Sequence, residues 1–128
     1  MVLSRHLAAV DLSAALARVS GDQELLEEIA RLFLEQYPEA LERIRQAIAA
    51  SDGAALEREA HLLKGAVANF EAPAAAEAAF RLEKAGRVGD WQAVPAAFGE
   101  LEAALEKVVV ELRAFLDSRR VTAPAKDF

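Results

Sequence analysis

Apolar residues recur every three to four positions along most of this chain, which is the spacing of an amphipathic α-helix. Runs typical of β-strands are nearly absent. The pattern predicts five helical segments, at about residues 12–19, 23–50, 54–70, 73–85 and from 91 or 95 to 116. Short turns between long helices indicate antiparallel neighbours. We therefore predict an all-α fold, an up-down four-helix bundle with an additional short N-terminal helix.

Several residues at the turns indicate where helices begin or bend. Asp11 is predicted to cap the first helix, because its side-chain oxygen can accept a hydrogen bond from a free amide of the first turn. Pro73 suits the first position of the fourth helix. Pro38 lies inside the second segment, where we expect a kink rather than a break because the apolar spacing resumes directly. Residues 86–90, with two glycines, are predicted to form a loop.

The apolar positions define a predicted core. In the second helix they are Leu25, Ile29, Leu32, Leu41, Ile44 and Ile48. In the last helix they are Leu101, Leu105, Val108, Leu112 and Phe115. The aromatic residues expected in the core are Phe33, Phe70, Phe80, Phe98 and Phe115, with Trp91 at one end of the bundle.

Length and composition narrow the class of protein. A chain of 128 residues fits one domain, which we place at residues 11–117 between a lead-in (1–10) and a tail (118–128). The net charge is −6 and no basic stripe occurs, so nucleic acid is not an expected partner. The chain has no cysteine and no long uncharged apolar span. We therefore expect a cytoplasmic monomer that does not cross a membrane.

His61 stands apart from the apolar stripe of its helix. At 100° per residue, the apolar side chains opposite it are Leu56, Leu63, Val67 and Phe70. Its own sector holds the small residues Ala54, Gly65 and Ala68, and it is flanked by Glu57, Arg58 and Lys64. A histidine used for packing would lie on the stripe. His61 is therefore expected to face solvent or a docked partner.

The run from His61 to Gly65 (His-Leu-Leu-Lys-Gly) resembles the signature of histidine-containing phosphotransfer (HPt) domains, which carry phosphoryl groups in bacterial two-component relays. Further similarity in order and spacing lies in residues 21–26, the Phe33-to-Pro38 interval, Asp52, Ala60, Leu82-Glu83 and residues 86–90. The resemblance covers about residues 11–115. The family's fold, a four-helix bundle with a shorter helix at one end, agrees with the predicted segments.

The resemblance implies a role for several residues. His61 would be the phosphoacceptor, Lys64 would contact the phosphoryl oxygens, and Glu83 would orient the imidazole. The partner-binding residues would be Glu57, Arg58, Lys64, Gly65 and Ala68. The implied partners are response regulator receiver domains and a hybrid sensor kinase. We expect no cofactor on this chain, and Mg²⁺ on the receiver.

The residue types suit this chemistry. Neutral imidazole is a nucleophile near pH 7, because its unperturbed pKa is about 6.5. Gly65 in mid-helix costs roughly 1 kcal/mol relative to alanine, and its place beside His61 indicates clearance for a partner. A metal site is not expected, because Glu57 and His61 have helical spacing but no further ligands.

One position departs from the family pattern. Members often have glycine shortly after the histidine helix, where this chain has Glu71. A glutamate whose backbone adopts the left-handed conformation would reduce stability by on the order of 1 kcal/mol relative to glycine. Either the turn differs here or the strain is tolerated.

Two other functions compete with a phosphoryl carrier. A non-carrying adaptor that binds response regulators would be expected to lack the histidine, which is present. The phosphoacceptor region of a sensor kinase usually has an acidic residue directly after the histidine and a proline a few residues on, where this chain has Leu62 and Gly65. No glycine-rich nucleotide-binding segment occurs. We therefore predict a covalent carrier and not an enzyme.

Overall fold

The computed structural model describes residues 8–126, and the side chains through residue 118; residues 1–7 of the expected lead-in lie outside it. Its five helices are α1 (Leu12–Arg18), α2 (Gln23–Ala49), α3 (Gly53–Ala68), α4 (Pro73–Val88) and α5 (Val94–Lys126). Residues 8–126 contain no strand. α3 packs against α2 and α4, and α5 packs against α2 and α4, which closes a four-helix bundle with α1 on α2. The predicted fold class is confirmed.

The first three helices begin in the same way. Asp11, Asp22 and Asp52 each precede a helix and accept a 3.0 Å hydrogen bond from the backbone amide three residues on. Each bond satisfies an amide that has no partner within its helix. α4 instead begins at Pro73, as predicted. α2 continues through Pro38 without a break.

The helix ends are less regular than the starts. Ser20, Ser51 and Glu71, which follow α1, α2 and α3, have left-handed backbones with φ of 56°, 52° and 51°. At Glu71 the strain is therefore tolerated, because the turn adopts the conformation that a glycine would adopt freely. The Glu71 carboxylate lies 2.6 Å from Arg18 Nη1, and its backbone carbonyl accepts a hydrogen bond from Asp11.

The core confirms part of the predicted stripes. In α5, Leu101, Leu105, Val108 and Leu112 are buried, and Phe115 is half-buried. In α2 the prediction is confirmed for Ile44, which is buried, and for Ile29, Leu41 and Ile48, which pack half-buried against the core. The buried residues of α2 are Leu26, Ala30, Phe33, Ile44 and Ala47.

Leu25 and Leu32 are exposed to 44 % and 46 %, so their predicted place in the core is wrong. α2 carries more apolar residues than one face can bury, and its neighbours decide which face is covered. Phe80 was also wrongly assigned to the core, since it is 36 % exposed.

α3 and α4 approach each other closely through two glycines. A Cβ atom on Gly53 would lie 2.5 Å from the carbonyl oxygen of Gly86, and one on Gly86 would lie 2.9 Å from the backbone nitrogen of Glu57. Only glycine fits at either position. Gly86 therefore belongs to α4 and not to the predicted loop, because the helix continues to Val88 and ends at Gly89 with φ of 73°.

Both ends of the described chain show features that the apolar spacing did not predict. α5 continues to Lys126 and does not end near residue 116 as predicted. Before α1, the amides of Ala9 and Val10 donate hydrogen bonds of 2.7 and 2.9 Å to the Glu111 carboxylate on α5. Among residues 8–126, no helix is long and apolar enough to cross a membrane.

Candidate functional site

His61 lies on the outer face of α3, and its side chain is 62 % exposed. The opposite face of the same helix carries Leu56, Leu63 and Val67, which are at most 3 % exposed. This confirms the orientation expected from helical spacing. The imidazole is open to a second protein.

Glu83 on α4 approaches this exposed imidazole from the bundle side. Its side chain is only 6 % exposed, and its Oε2 lies 3.2 Å from His61 Nδ1. The same two helices also pack closely at Gly53 and Gly86. The fold thus brings Glu83, to which the family resemblance assigned the orienting role, into contact with the histidine.

The Glu83 carboxyl is held in its ionised form. Burial raises its pKa, but the hydrogen bonds and positive charges of Lys64 and His61 outweigh burial, so the pKa lies below its ordinary value of 4.5. An ionised carboxylate only accepts hydrogen bonds. Nδ1 of His61 therefore donates in this contact, and in the neutral form of the ring Nε2 keeps its lone pair free to react.

Lys64 also contacts Glu83, through the second carboxylate oxygen. Its Nζ lies 2.9 Å from Glu83 Oε1 and 4.8 Å from the centroid of the Phe80 ring. Its side chain is 28 % exposed. The ammonium is therefore held beside the histidine, within the same cluster of side chains.

Arg87, one turn after Glu83, was not singled out in the sequence as a site residue. Its Nη2 donates a 2.9 Å hydrogen bond to Glu83 Oε2, and its Nε donates a 2.7 Å bond to Glu57. The hydrogen bond to Glu57, aided by both carboxylate charges, raises the pKa of Arg87. The available signal was the Glu83-to-Arg87 spacing of four residues, which the predicted loop at 86–90 concealed.

Glu57, which was predicted to bind a partner, forms an ion pair with Arg87 instead of standing free on the surface. Its carboxylate is paired within the chain, 2.7 Å from Arg87 Nε, and its side chain is 37 % exposed. Glu57 therefore braces the guanidinium that holds Glu83. Its expected role in partner binding stays a prediction.

The other predicted partner-binding residues lie on the open side of α3. Gly65 is exposed, and a Cβ atom added there would meet nothing within 4 Å. Ala68 is half-buried. The Arg58 side chain is 64 % exposed, with its Nε 3.9 Å from a Glu59 oxygen. No packing within the described chain requires glycine at position 65, which is consistent with clearance beside His61.

A groove of about 380 Å³ between α2 and α3 begins next to the site. Its lining includes Ile29, Leu32, Tyr37, Leu62 and Ala66. Leu62 directly follows His61 and is 59 % exposed. The described residues include no group of three or more metal-ligating side chains.

Comparisons with known proteins agree with this geometry. The family model described as the Hpt domain matches residues 28–111. The crystal structure of histidine-containing phosphotransfer protein B (HptB) from Pseudomonas aeruginosa PAO1 is similar in fold, with a TM-score of 0.80 and 22 % sequence identity. The match covers 88 % of this chain and 97 % of that one. A comparison with curated proteins gives no match.

Proposed function

The chain belongs to the Hpt domain family, and on that basis we propose that His61 accepts a phosphoryl group from the aspartyl phosphate of one receiver domain and passes it to another. A role in histidine phosphotransfer follows from the family itself. The observation that carries the assignment to His61 is its exposed ring, with Nδ1 bound to the buried carboxylate of Glu83.

The transfer step follows from the protonation state of the ring. The lone pair of His61 Nε2 attacks the phosphorus atom, a bond forms between nitrogen and phosphorus, and the bond to the receiver's aspartate oxygen breaks. The aspartate leaves as a carboxylate. The proton stays on Nδ1, so the ring becomes positively charged, and the ionised Glu83 stabilises that charge. Reversal of the same step returns the phosphoryl group to a receiver.

Lys64 and Gly65 support this step in different ways. The Lys64 ammonium lies in the same cluster as His61 and is proposed to offset charge on the phosphoryl oxygens. Gly65, with Arg58 and Ala68, is proposed to form part of the docking surface. The Mg²⁺ that transfer from a receiver requires is assigned to the receiver's own acidic residues.

The proposal also concerns the binding partners, the oligomeric state and the cellular location of the chain. Hpt domains interact with response regulator receivers in two-component systems, and we propose a hybrid sensor kinase as a further partner. We also propose that the chain acts as a monomer in the cytoplasm and carries phosphoryl groups without catalysing their release from ATP. The adaptor alternative is less favoured, because a chain that only binds receivers has no need of an oriented, exposed imidazole.

The test is direct phosphoryl transfer. Receiver domains of the source organism, labelled with radioactive phosphate on their aspartates, are each mixed with the purified chain and followed over time. We expect label to appear on the chain and to be lost in acid but not in base, as for phosphohistidine. His61→Gln should remove labelling while circular dichroism stays unchanged.

Two outcomes would contradict the proposal. Label retained by His61→Gln would show that another residue is the acceptor. Binding of receivers without labelling of the wild-type chain, across the full set of receivers, would favour the adaptor. A gel-filtration profile of the active chain tests the proposed monomer separately.

A further inference from the structure

Phe80 occupies an unusual position for a large aromatic residue. It lies on α4, one turn before Glu83, and it is 36 % exposed although its helix has a buried apolar face. Its ring instead contacts two ammonium groups, Lys64 Nζ at 4.8 Å and Lys84 Nζ at 5.4 Å from the centroid. Phe80 is therefore not one of the residues that form the hydrophobic core of the described chain.

The Lys64 ammonium contacts both the Phe80 ring and the Glu83 carboxylate that binds His61. Its Nζ lies at the same time over the Phe80 ring and 2.9 Å from Glu83 Oε1, while Glu83 Oε2 contacts His61. Lysine has a long flexible side chain, so an ion pair with one carboxylate oxygen leaves its position loosely fixed. The negative face of an aromatic ring attracts the cation from a second direction.

We propose that Phe80 is a positioning residue that keeps the Lys64 ammonium beside His61. The inference rests on the proposed function, in which Lys64 offsets charge on the phosphoryl oxygens. Without the ring, the lysine would spend more of its time in solvent. Phe80 would thus act on the transfer step through Lys64 and not through contact with the receiver.

The test is a double-mutant cycle on the rate of transfer from a radiolabelled receiver domain. Phe80→Leu keeps an apolar side chain but removes the ring face. We expect it to lower the maximal transfer rate about two- to fivefold, the change that corresponds to an exposed cation–π contact, with the half-saturating receiver concentration unchanged. Phe80→Tyr retains the ring face and should restore the rate.

The second arm of the cycle uses Lys64→Met, which removes the charge and keeps the length of the side chain. In that background Phe80→Leu should have no further effect. Lys84→Met, which removes the other cation from the same ring, is the matched control and should transfer at the wild-type rate.

A spectroscopic measurement reports the contact itself. Protons next to Lys64 Nζ should be shifted upfield by the ring current of Phe80. Phe80→Leu should remove this shift and the one expected at Lys84, and should leave the signals of residues far from the ring unchanged. An undiminished effect of Phe80→Leu in the Lys64→Met background would overturn the inference, because the ring would then act through the receiver. Absence of labelling on wild-type His61 would instead contradict the proposed function.

Discussion

The buried carboxylate of Glu83 accepts a hydrogen bond from the exposed imidazole of His61, with 3.2 Å between Oε2 and Nδ1. The two residues lie on different helices and are 22 positions apart in the chain. This contact fixes which ring nitrogen carries the proton, and so determines which one can react.

Glu83→Gln tests the orientation of the imidazole. Glutamine removes the negative charge that stabilises the ring as it becomes positive, so we expect transfer to slow by about tenfold, given the strength of a hydrogen bond to a charged group. Nitrogen NMR of His61 should show the Nδ1-protonated tautomer in the wild type and a mixture in the variant. Glu77→Gln, on the same helix but paired with Arg81 at the surface, is the control and should transfer normally.

Acid should weaken the same contact. Because the pKa of Glu83 is lowered in the folded state, its ionised form stabilises the fold above the ordinary value of 4.5, and this contribution is lost as pH falls through the folded pKa. The difference in free energy of unfolding between wild type and Glu83→Gln should be full near neutral pH and shrink below about pH 4.5. Denaturant unfolding across this range measures it. A difference independent of pH would exclude an ionised Glu83.

Gly65→Leu should change stability and transfer in opposite directions. The position is open, and replacing a mid-helix glycine should raise the free energy of unfolding by roughly 0.5–1 kcal/mol. The same side chain should obstruct the receiver and slow transfer. Gly99→Leu on α5, where added atoms also meet nothing within 4 Å, is the matched control. Wild-type transfer by Gly65→Leu would show that clearance is not the reason for this glycine.

Gly86→Ala should have the reverse effect on stability. Its Cβ would lie 2.9 Å from the Glu57 backbone nitrogen and 3.0 Å from the Gly53 carbonyl oxygen, so α3 and α4 must separate. We expect a loss of about 1–3 kcal/mol in unfolding free energy. Transfer should also slow, because Glu83 on α4 moves away from His61. Thermal unfolding compared with Gly99→Ala checks the prediction, and an unchanged melting temperature would contradict the close packing.

Glu71→Gly should relieve backbone strain after α3. The left-handed φ of 51° costs a glutamate on the order of 1 kcal/mol more than a glycine, while the lost ion pair with Arg18 offsets part of the gain. The comparison is therefore made in an Arg18→Ala background, where we expect a gain of about 1 kcal/mol in unfolding free energy. Destabilisation in that background would mean that the side chain has another structural role.

The site was partly predictable from the sequence because helical spacing is a local property. The 100° rotation per residue placed His61 opposite Leu63 and Val67, and a local pattern also predicted the cap at Asp11. The same reasoning failed where the choice was not local. Leu25 and Leu32 fit the apolar spacing of α2 as well as its buried residues do, and only the neighbouring helices decided which were covered.

Arg87 and Phe80 are the clearest examples of residues whose roles the sequence pattern did not predict. A glycine before Arg87 and another after it indicated a loop, whereas Gly86 is in fact required where α4 packs against α3. An aromatic residue on an amphipathic helix indicated core, whereas the Phe80 ring faces two lysines. Both errors concern residues whose role depends on a partner distant in the sequence.

By itself, the sequence determined the helical class, the positions of most helix starts, the outward direction of His61 and the family to which the chain is similar. The first three depend on residue type and spacing within a few turns of one helix, and the family similarity depends on the order and spacing of motifs along the chain. The family resemblance suggested that Glu83 orients His61, and the tertiary structure showed the contact. Only the tertiary structure decided that Arg87 braces Glu83 and that Lys64 contacts both Glu83 and Phe80. These contacts depend on how closely α3 and α4 pack, and Gly53 and Gly86 allow the two helices to approach closely.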